Sequence, residues 1–271
     1  MIPLNDGNHI PQIGFGTSPL NDQKVVPAIL AALEAGYRHI DTAYRYNNEK
    51  GVGQGIRESG IPREELFVTT KLDGPFQGDD RAIGGLEVSL RRLGLEYVDL
   101  LLMHWPLPQR DQYVSTWKTF ETLLAAGKTR SIGLSNFKPA HIDRLLAETS
   151  VRPAVNQIQL NPRITRPEQR AYDSEHGIVT EAWSPLGAGN ELLQEPTLVS
   201  IAGKYAKTPA QVVLRWHIEL GNVAIPRSAN PHRIAENINI FDFSLTGDEI
   251  TAISALDTGA EPRVDSDLTG H

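Results

Sequence analysis

Apolar and polar positions alternate along the chain in two patterns, one typical of helices and one typical of buried strands. Between residues 22 and 35, apolar side chains recur at helical spacing, for example at Val25, Ile29 and Leu33. By contrast, the run 98–103 is apolar at nearly every position, which is typical of a parallel strand buried on both faces. Helix-type and strand-type segments follow each other through most of the sequence.

This alternation predicts a barrel. The predicted strands cover residues 12–17, 37–41, 66–70, 98–103, 131–134, 154–160, 178–182 and 223–225. Helices are predicted at 22–35, 47–59, 79–93, 113–126, 139–148, 167–176, 209–220, 231–238 and 246–256, and a further helix is predicted to end near residue 205. A β-hairpin at 2–10 precedes them, because Asp6-Gly7 is a strong two-residue turn signal. Eight βα units indicate an α/β fold, a (β/α)8 TIM barrel with an N-terminal β-hairpin, and residues 1–271 are interpreted as a single barrel domain. The polar tail from residue 259 is expected to be loose.

The composition and net charge limit the kinds of molecule that the protein is expected to bind. Charged residues make up 22% of the chain and hydrophobic residues 40%, which is ordinary for a soluble globular protein. The net charge of -7 argues against a nucleic-acid or anionic-membrane surface. The absence of cysteine from the sequence excludes disulfides, thiolate metal sites and a cysteine nucleophile. The N-terminus has no signal-peptide pattern and no apolar run approaches membrane-spanning length, so a soluble cytoplasmic protein is expected. We also expect a monomer that acts on a small-molecule substrate.

Polar or reactive residues follow most of the predicted strands at their C-terminal ends. They are Asp41, Lys71, His104, Ser135, Asn136, Gln157, Trp183, Arg227 and Ser228. For any one of them, a capping or loop role is the commoner explanation. In a barrel, however, these strand ends converge on the face that carries active sites, and seven strands share the feature. The pattern therefore predicts an active site at this face.

Asp41, Lys71 and His104, together with Tyr46, suit proton donation to a carbonyl oxygen. A phenol has an ordinary pKa of about 10, and a nearby ammonium on Lys71 is expected to lower the pKa of Tyr46. Asp41 is expected to hold Lys71 charged, and His104 offers a hydrogen bond to a substrate oxygen. Because no side chain supplies a hydride, a cofactor is required.

Eight ordered motifs lie at the predicted strand ends. They are GFGT at 14–17, GYRHIDTAYRYNNE at 36–49, TTKL at 69–72, MHWP at 103–106, GLSNF at 133–137, PAVNQIQLNP at 153–162, WSPLG at 183–187 and IPRSANPHRIAEN at 225–237. With these motifs the chain resembles the aldo-keto reductase family from end to end, and within it the bacterial 2,5-diketo-D-gluconate reductases. The resemblance implies a (β/α)8 barrel and NADPH-dependent reduction of an aldehyde or ketone to an alcohol.

The resemblance also implies a role for individual residues. Tyr46 is the general acid, and Asp41, Lys71 and His104 complete the catalytic tetrad. The implied cofactor contacts are Thr17, Asp41, Ser135, Asn136, Gln157, Trp183, Ser184, Leu186, Gly187, Gly189, Arg227, Ser228, Asn230, Arg233, Glu236 and Asn237. The implied substrate contacts are Ser18, Arg45, Tyr46, His104 and Trp105, and no metal is expected.

Within the implied cofactor set, each group has its own part of the dinucleotide. The nicotinamide carboxamide is expected on Ser135, Asn136 and Gln157, with the ring stacked on Trp183. The loop 184–189 is expected to cover the pyrophosphate. The 2′-phosphate is expected at the segment that contains Arg227, Ser228, Asn230 and Arg233, and the adenine at Glu236 and Asn237.

Three positions depart from the family pattern. Arg227 stands where the family usually has lysine, so NADH is expected as a weaker alternative cofactor. Asp73 and Ser18 replace common aromatics, which favours small hydroxylated or charged carbonyl compounds as substrates. Arg45 either pairs with a substrate carboxylate or instead points to solvent or pairs with Asp73.

Other functions fit parts of the sequence. A non-catalytic NADPH-binding partner or regulatory subunit could use the same fold. A metal-dependent barrel hydrolase needs clustered His and carboxylate ligands, for which only Asp41 and His104 qualify. A Rossmann dehydrogenase is disfavoured because no G-x-G-x-x-G motif follows a predicted strand.

Overall fold

A closed parallel barrel forms the centre of the molecule. The computed structural model describes residues 1–187, 189 and 191–270. Within these residues, strands β3 to β10 form one eight-stranded sheet in sequence order, each strand pairing in parallel with the next. The sheet closes because Gly14 N donates to Ala224 O at 2.9 Å and Ala224 N donates to Gln12 O at 3.1 Å. The prediction of a (β/α)8 barrel is confirmed.

The elements have the following bounds. The strands are β1 Ile2–Pro3, β2 His9–Ile10, β3 Phe15–Gly16, β4 His39–Asp41, β5 Phe67–Leu72, β6 Val98–Met103, β7 Thr129–Ser135, β8 Val155–Gln159, β9 Val179–Trp183 and β10 Val223–Ile225. The helices are α1 Asp22–Glu34, α2 Glu49–Ser59, α3 Arg81–Leu93, α4 Tyr113–Ala125, α5 Pro139–Glu148, α6 Pro167–Glu175, α7 Pro196–Tyr205, α8 Pro209–Glu219, α9 Pro231–Ile238 and α10 Gly247–Ser254. The predicted N-terminal hairpin is β1 paired antiparallel with β2.

Local chemistry explains where the helices begin and end. The side chain of Asn21 accepts a hydrogen bond from Lys24 N at the start of α1, and Thr208 forms a capping box with Gln211 at the start of α8. Gly60 follows α2 with φ +68°, a left-handed conformation that favours glycine. Such short-range signals are present in the sequence, and the observed ends lie close to the predicted ones.

The apolar core has two layers, one inside the barrel and one between the strands and the helices. Successive side chains of a strand point alternately into these two layers. On β6, Leu100 and Leu102 belong to the cluster inside the barrel, whereas Leu101 and Met103 pack in the cluster between strands and helices. The barrel interior turns polar towards the C-terminal ends of the strands, where Lys71 is 1% exposed. The polar side chains at the C-terminal strand ends are therefore supported from below by the packed apolar interior of the barrel.

The C-terminal tail is anchored, so the expectation of a loose tail was wrong. Lys138 Nζ lies 2.6 Å from a carboxylate oxygen of Asp265 and 2.5 Å from one of Asp267. His141 Nε2 lies 2.9 Å from Asp267, and Gln109 Nε2 donates to the Asp267 carbonyl at 2.6 Å. The polar composition of the tail reflects these pairings with distant basic groups, which sequence patterns do not reveal.

No helix in the described part of the chain is long and apolar enough to cross a membrane.

Candidate active site

A buried ion pair lies where β4 and β5 end side by side. Lys71 Nζ donates to both carboxylate oxygens of Asp41, at 2.6 Å and 2.8 Å, and to the carbonyl of Thr42 at 3.0 Å. Burial acts to lower the pKa of Lys71, but the neighbouring Asp41 and Tyr46 raise it above its usual value. Lys71 is therefore a permanently charged ammonium at neutral pH, and its direction is fixed by Asp41.

The two remaining tetrad residues meet this pair. Tyr46 ends a 3-10 turn, Tyr44–Tyr46, and its hydroxyl lies 3.4 Å from Lys71 Nζ. His104 follows β6, and its ring stands edge-on to the Tyr46 ring with centroids 5.8 Å apart. The structure thus brings together the four residues that the sequence singles out for catalysis, although they come from three strand ends and one turn.

The turn that carries Tyr46 is fixed by the buried side chain of Asn48. Its Oδ1 accepts a hydrogen bond from Thr42 Oγ1 at 2.9 Å. Its Nδ2 donates to the carbonyls of Thr17 at 3.0 Å and Leu20 at 2.8 Å. One amide therefore joins the loops that follow β3 and β4, which holds the phenol in position.

A second set of contacts holds the other side of the same turn. The Tyr44 ring packs edge-on against Phe76, with centroids 4.9 Å apart, and the Arg92 guanidinium lies 4.2 Å from its centroid. Arg92 also lies 3.4 Å from the buried Glu49, which accepts from Thr70 Oγ1 at 2.8 Å. The turn is consequently tied to α2, α3 and β5.

Burial and the Lys71 ammonium have opposite effects on the pKa of Tyr46. Burial raises this pKa above its usual value, and the favourable effect of the Lys71 ammonium on the phenolate only partly opposes it. Lys71 lowers the pKa of Tyr46, as the sequence indicates, but desolvation by burial, which the sequence analysis did not consider, is the larger effect. A raised pKa keeps Tyr46 protonated at neutral pH, as a proton donor must be.

The predicted nicotinamide contacts form a connected platform. Trp183 Nε1 donates to Asn136 Oδ1 at 2.9 Å. Asn136 Nδ2 donates to the His104 carbonyl at 3.1 Å and to Ser135 Oγ at 3.0 Å. Ser135 Oγ in turn donates to the backbone carbonyl of Gln157 at 3.1 Å. These bonds fix the plane of a half-buried indole beside the tetrad, which suits stacking of a flat ring.

The loop after β9 has the backbone of a tight turn. Gly187 N donates to Ser184 O at 3.0 Å, and φ is +51° at Ser184, +72° at Gly187 and +88° at Gly189. The side chain of Leu186 packs partly against the core. Ala188, within the predicted loop 184–189, lies outside the described residues.

A basic groove lies at the start of α9. Its volume is about 480 Å³, and its lining consists of Arg227, Ser228, Ala229, Asn230, Pro231 and Arg233. Asn230 caps the helix by accepting from the backbone N–H groups of His232 and Arg233. Neither Arg227 nor Arg233 forms an ion pair with any described acidic residue. Two uncompensated guanidinium groups at a helix N-terminus are a suitable environment for a phosphate.

The two residues expected at the adenine lie further along α9. Glu236 is half-buried and accepts a hydrogen bond from Thr208 Oγ1 at 2.8 Å, while its other oxygen lies 3.7 Å from His232. Asn237 is buried at 5% exposure. Glu236 therefore already has a protein partner at one oxygen.

The predicted substrate residues differ in their exposure. Ser18 is exposed and Trp105 is buried at 4%. Arg45 is half-exposed, and its Nη1 lies 3.8 Å from a carboxylate oxygen of the buried Asp73. This contact corresponds to the alternative in which Arg45 pairs with Asp73. Thr17, expected at the cofactor, donates its hydroxyl to the Asp41 carbonyl at 3.0 Å.

Two neighbours of the site did not emerge from the sequence. The tail reaches Trp105 so closely that a Cβ on Gly270 would lie 3.1 Å from Trp105 Cβ. Glu181, inside the barrel, accepts a hydrogen bond from Gln157 Nε2 at 2.6 Å. The sequence contained an indication that Glu181 is special, because a charged residue within the strand VTEAW is unusual for a segment buried on both faces.

No cluster of three or more His, Asp or Glu side chains suited to a metal ion occurs among residues 1–187, 189 and 191–270.

The chain is similar to known reductases over nearly its whole length. The sequence pattern that defines the aldo/keto reductase family matches residues 12–258. An aldo-keto reductase of Mycolicibacterium smegmatis is 50% identical over 258 residues, which are 95% of this chain and 94% of that protein. The Salmonella typhi protein named "Putative methylglyoxal reductase DkgA" is 45% identical over 271 residues, which are 100% of this chain and 98% of that protein. A crystal structure of a Gox0644 variant in complex with NADPH superimposes with a TM-score of 0.95 at 39% identity, covering 100% of this chain and 98% of that one.

Proposed function

The chain belongs to the aldo/keto reductase family, and we propose that it reduces an aldehyde or ketone to an alcohol, with hydride from NADPH and a proton from Tyr46. The observation that carries the residue assignment is the contact of the Tyr46 hydroxyl with Lys71 Nζ at 3.4 Å, beside the ring of His104. A protonated phenol, a fixed ammonium and an imidazole at one barrel mouth suit carbonyl reduction.

The proton transfer follows from this arrangement. NADPH, when bound, supplies the hydride that adds to the carbonyl carbon. Tyr46 donates its phenolic proton to the carbonyl oxygen, which completes the alcohol and leaves a phenolate. The Lys71 ammonium stabilises that phenolate, and the phenolate regains a proton from solvent. Asp41 keeps Lys71 oriented, so its role is to preserve the charge that the phenolate requires.

The residues present fit NADPH at both ends. The indole of Trp183 is held by Asn136 next to the tetrad, which suits a nicotinamide ring. The groove with Arg227 and Arg233 supplies the positive charge that a 2′-phosphate needs. These assignments support NADPH over NADH as the preferred cofactor. Because arginine replaces the usual lysine at position 227, we expect NADH to be used as well, but more weakly.

The non-catalytic alternative lacks a supporting feature. All four tetrad residues are present and in contact with one another, directly or through Lys71 and Tyr46. Relatives that match nearly the full length of the chain carry names of reductases. A subunit without activity would not need a buried charged lysine beside a tyrosine, because burying such a pair opposes folding unless it is well compensated.

The experiment that tests the reaction is a substrate panel. Purified protein should oxidise NADPH in the presence of small aldehydes and α-dicarbonyl compounds and should form the corresponding alcohols. The same panel run with NADH should give lower kcat/KM values. Absence of cofactor oxidation with every carbonyl compound, combined with tight NADPH binding, would favour the non-catalytic alternative.

A small, polar dicarbonyl or keto acid is the proposed substrate class. The name of the Salmonella typhi relative refers to methylglyoxal, a small dicarbonyl compound, and here Asp73 and Ser18 stand at positions where the family often has aromatics. Arg45 contributes a half-exposed guanidinium directly before the proton donor.

For a keto acid, we expect kcat/KM to exceed that of its neutral ester by about threefold to tenfold, because a half-exposed charge pair contributes modestly. Arg45→Ala should bring this ratio close to one. Steady-state kinetics on the acid and ester pair measure it. Equal rates for acid and ester in the native enzyme would remove Arg45 from substrate recognition.

Asp73→Asn provides the matched control for Arg45. Asn retains a side-chain oxygen for the hydrogen bond from Gly74 N, but it removes the charge that lies 3.8 Å from Arg45. The released guanidinium should raise the preference for the acid. A lower preference in Asp73→Asn would show that Asp73 orients Arg45 for the substrate instead of competing with it.

A further inference from the structure

A second buried carboxyl group lies beneath the tetrad and is joined to it by one amide. Gln157 Nε2 donates to Asp41 Oδ2 at 2.8 Å and to Glu181 Oε2 at 2.6 Å. Gln157 and Glu181 are paired residues on the adjacent strands β8 and β9, and Glu181 is fully buried. The proton donor, Lys71, Asp41, Gln157 and Glu181 therefore form one connected chain into the barrel.

The orientation of the Gln157 amide follows from its partners. Asp41 is ionised beside the Lys71 ammonium, so it can only accept hydrogen bonds, and the group facing it must be the amide nitrogen. Both N–H bonds of this nitrogen are then taken by Asp41 and Glu181. The carbonyl oxygen of the Gln157 amide is the part of the side chain left for a nicotinamide carboxamide, whose NH2 group needs an acceptor.

The charged and titratable groups around Glu181 come from the neighbouring strands. The Nε2 atom of His39, on β4, is 3.8 Å from Glu181 Oε1 and 3.0 Å from Thr69 Oγ1. Burial lowers the pKa of His39 to about 4, so this imidazole is neutral at neutral pH. The charges of Asp41 and Lys71 cancel each other. The net charge of the buried group is consequently decided by Glu181.

Burial also raises the pKa of Glu181, to about 8, with the nearby Asp41 carboxylate adding to the effect. At neutral pH, Glu181 is therefore mostly protonated, and it acquires a negative charge as the pH rises through this value. A negative charge in the barrel is weakly screened by salt and disfavours the Tyr46 phenolate.

We propose that Glu181 is a positioning residue of the reductase: through the shared amide of Gln157 it fixes the carbonyl that faces the nicotinamide, and its negative charge inside the barrel keeps Tyr46 protonated in alkaline solution. The proposal rests on the proposed function, because Tyr46 is taken as the proton donor. It assigns to Glu181 no contact with the substrate.

Glu181→Gln tests the charge. Gln retains the size of the side chain and an oxygen that accepts from Gln157, but it cannot ionise. The rate of carbonyl reduction should match that of the native enzyme below about pH 7, and its alkaline decline should begin at least about half a pH unit earlier. Coincident alkaline limbs in the two folded proteins would overturn this part of the proposal.

Glu181→Leu tests the orientation of Gln157. Leucine removes the acceptor, so one of the two hydrogen bonds that hold the amide is lost. We expect the Kd for NADPH, measured by fluorescence titration, to rise by about threefold to tenfold, while Glu181→Gln keeps nearly the native Kd. Native affinity in Glu181→Leu would show that Glu181 does not orient Gln157.

Asp173→Asn is the matched control. Asp173 on α6 is also fully buried, burial raises its pKa to about 6, and it accepts from Gln169 and Thr180 on the outer side of the barrel. Its neutralisation should leave the alkaline limb unchanged. An equal shift in Asp173→Asn would mean that loss of any buried carboxyl moves the profile, which contradicts a specific role for Glu181.

The native protein gives a readout that needs neither activity nor a folded variant. Infrared difference spectra recorded between about pH 7 and about pH 10 should show the loss of the C=O stretch of a buried protonated carboxyl group. Absence of this band overturns the proposal even where variants fail to fold. A native enzyme that shows the band but reduces no carbonyl compound would refute the proposed function, whereas normal reduction without the band would refute the role of Glu181 alone.

Discussion

Tyr46→Phe should lower the kcat of carbonyl reduction by at least about a hundredfold, the usual scale for loss of general acid catalysis. The substitution removes the hydroxyl 3.4 Å from Lys71 Nζ and keeps the ring that packs edge-on to His104. NADPH affinity should hardly change, since Tyr46 is not among the expected cofactor contacts. Stopped-flow measurement of NADPH oxidation at saturating substrate separates the chemical step from binding.

Tyr44→Phe is the matched control, because Tyr44 lies in the same turn two positions earlier. Phenylalanine retains the packing against Phe76 and the contact with Arg92. This variant should reduce carbonyls at nearly the native rate. Near-native turnover in Tyr46→Phe would instead remove Tyr46 from the mechanism and leave His104 as the group to examine.

Arg233→Ala should weaken NADPH binding by about tenfold to a hundredfold, because a charge-assisted hydrogen bond contributes about 1.5–3 kcal/mol. Arg233 is exposed, so the lower end of this range is expected, and the loss should shrink at high salt. NADH affinity should change much less, since NADH has no 2′-phosphate. Fluorescence titration with both cofactors at low and high salt measures the four dissociation constants.

Two further variants define the contribution of Arg233. Arg233→Lys keeps the charge but loses the planar fork that matches a phosphate, so an intermediate loss of NADPH affinity is expected. Arg91→Ala removes another exposed helical arginine, on α3, and should leave both affinities unchanged. Equal losses for NADPH and NADH in Arg233→Ala would contradict a contact with the 2′-phosphate.

The positions of the helices and strands followed from the sequence, because their causes act over a few residues. Apolar spacing placed the elements, and the structure shows that the cap at Asn21 and the glycine after α2 are likewise local causes of helix ends. The convergence of Asp41, Lys71 and His104 was also predictable. Once eight βα units are recognised, a barrel requires the strand ends to share one face.

Only the tertiary structure decided how these groups affect one another. The sequence indicated that Lys71 lowers the pKa of Tyr46, but burial has the larger effect and raises it. Desolvation depends on everything that packs around a group, and a sequence does not contain that sum. The bond of Gln157 to Asp41, 116 positions away, likewise exists only because the barrel closes.

The pairings of Arg45 and of the tail show the same distinction. From the sequence, Arg45 had three alternatives: to contact the substrate, to point to solvent or to pair with Asp73. In the structure, its guanidinium lies 3.8 Å from the Asp73 carboxylate. It described the tail as a polar segment, whereas Lys138 holds it through Asp265 and Asp267. Composition determines that such residues are polar. Which distant charge each of them meets depends on the path of the folded chain, and therefore on the barrel as a whole.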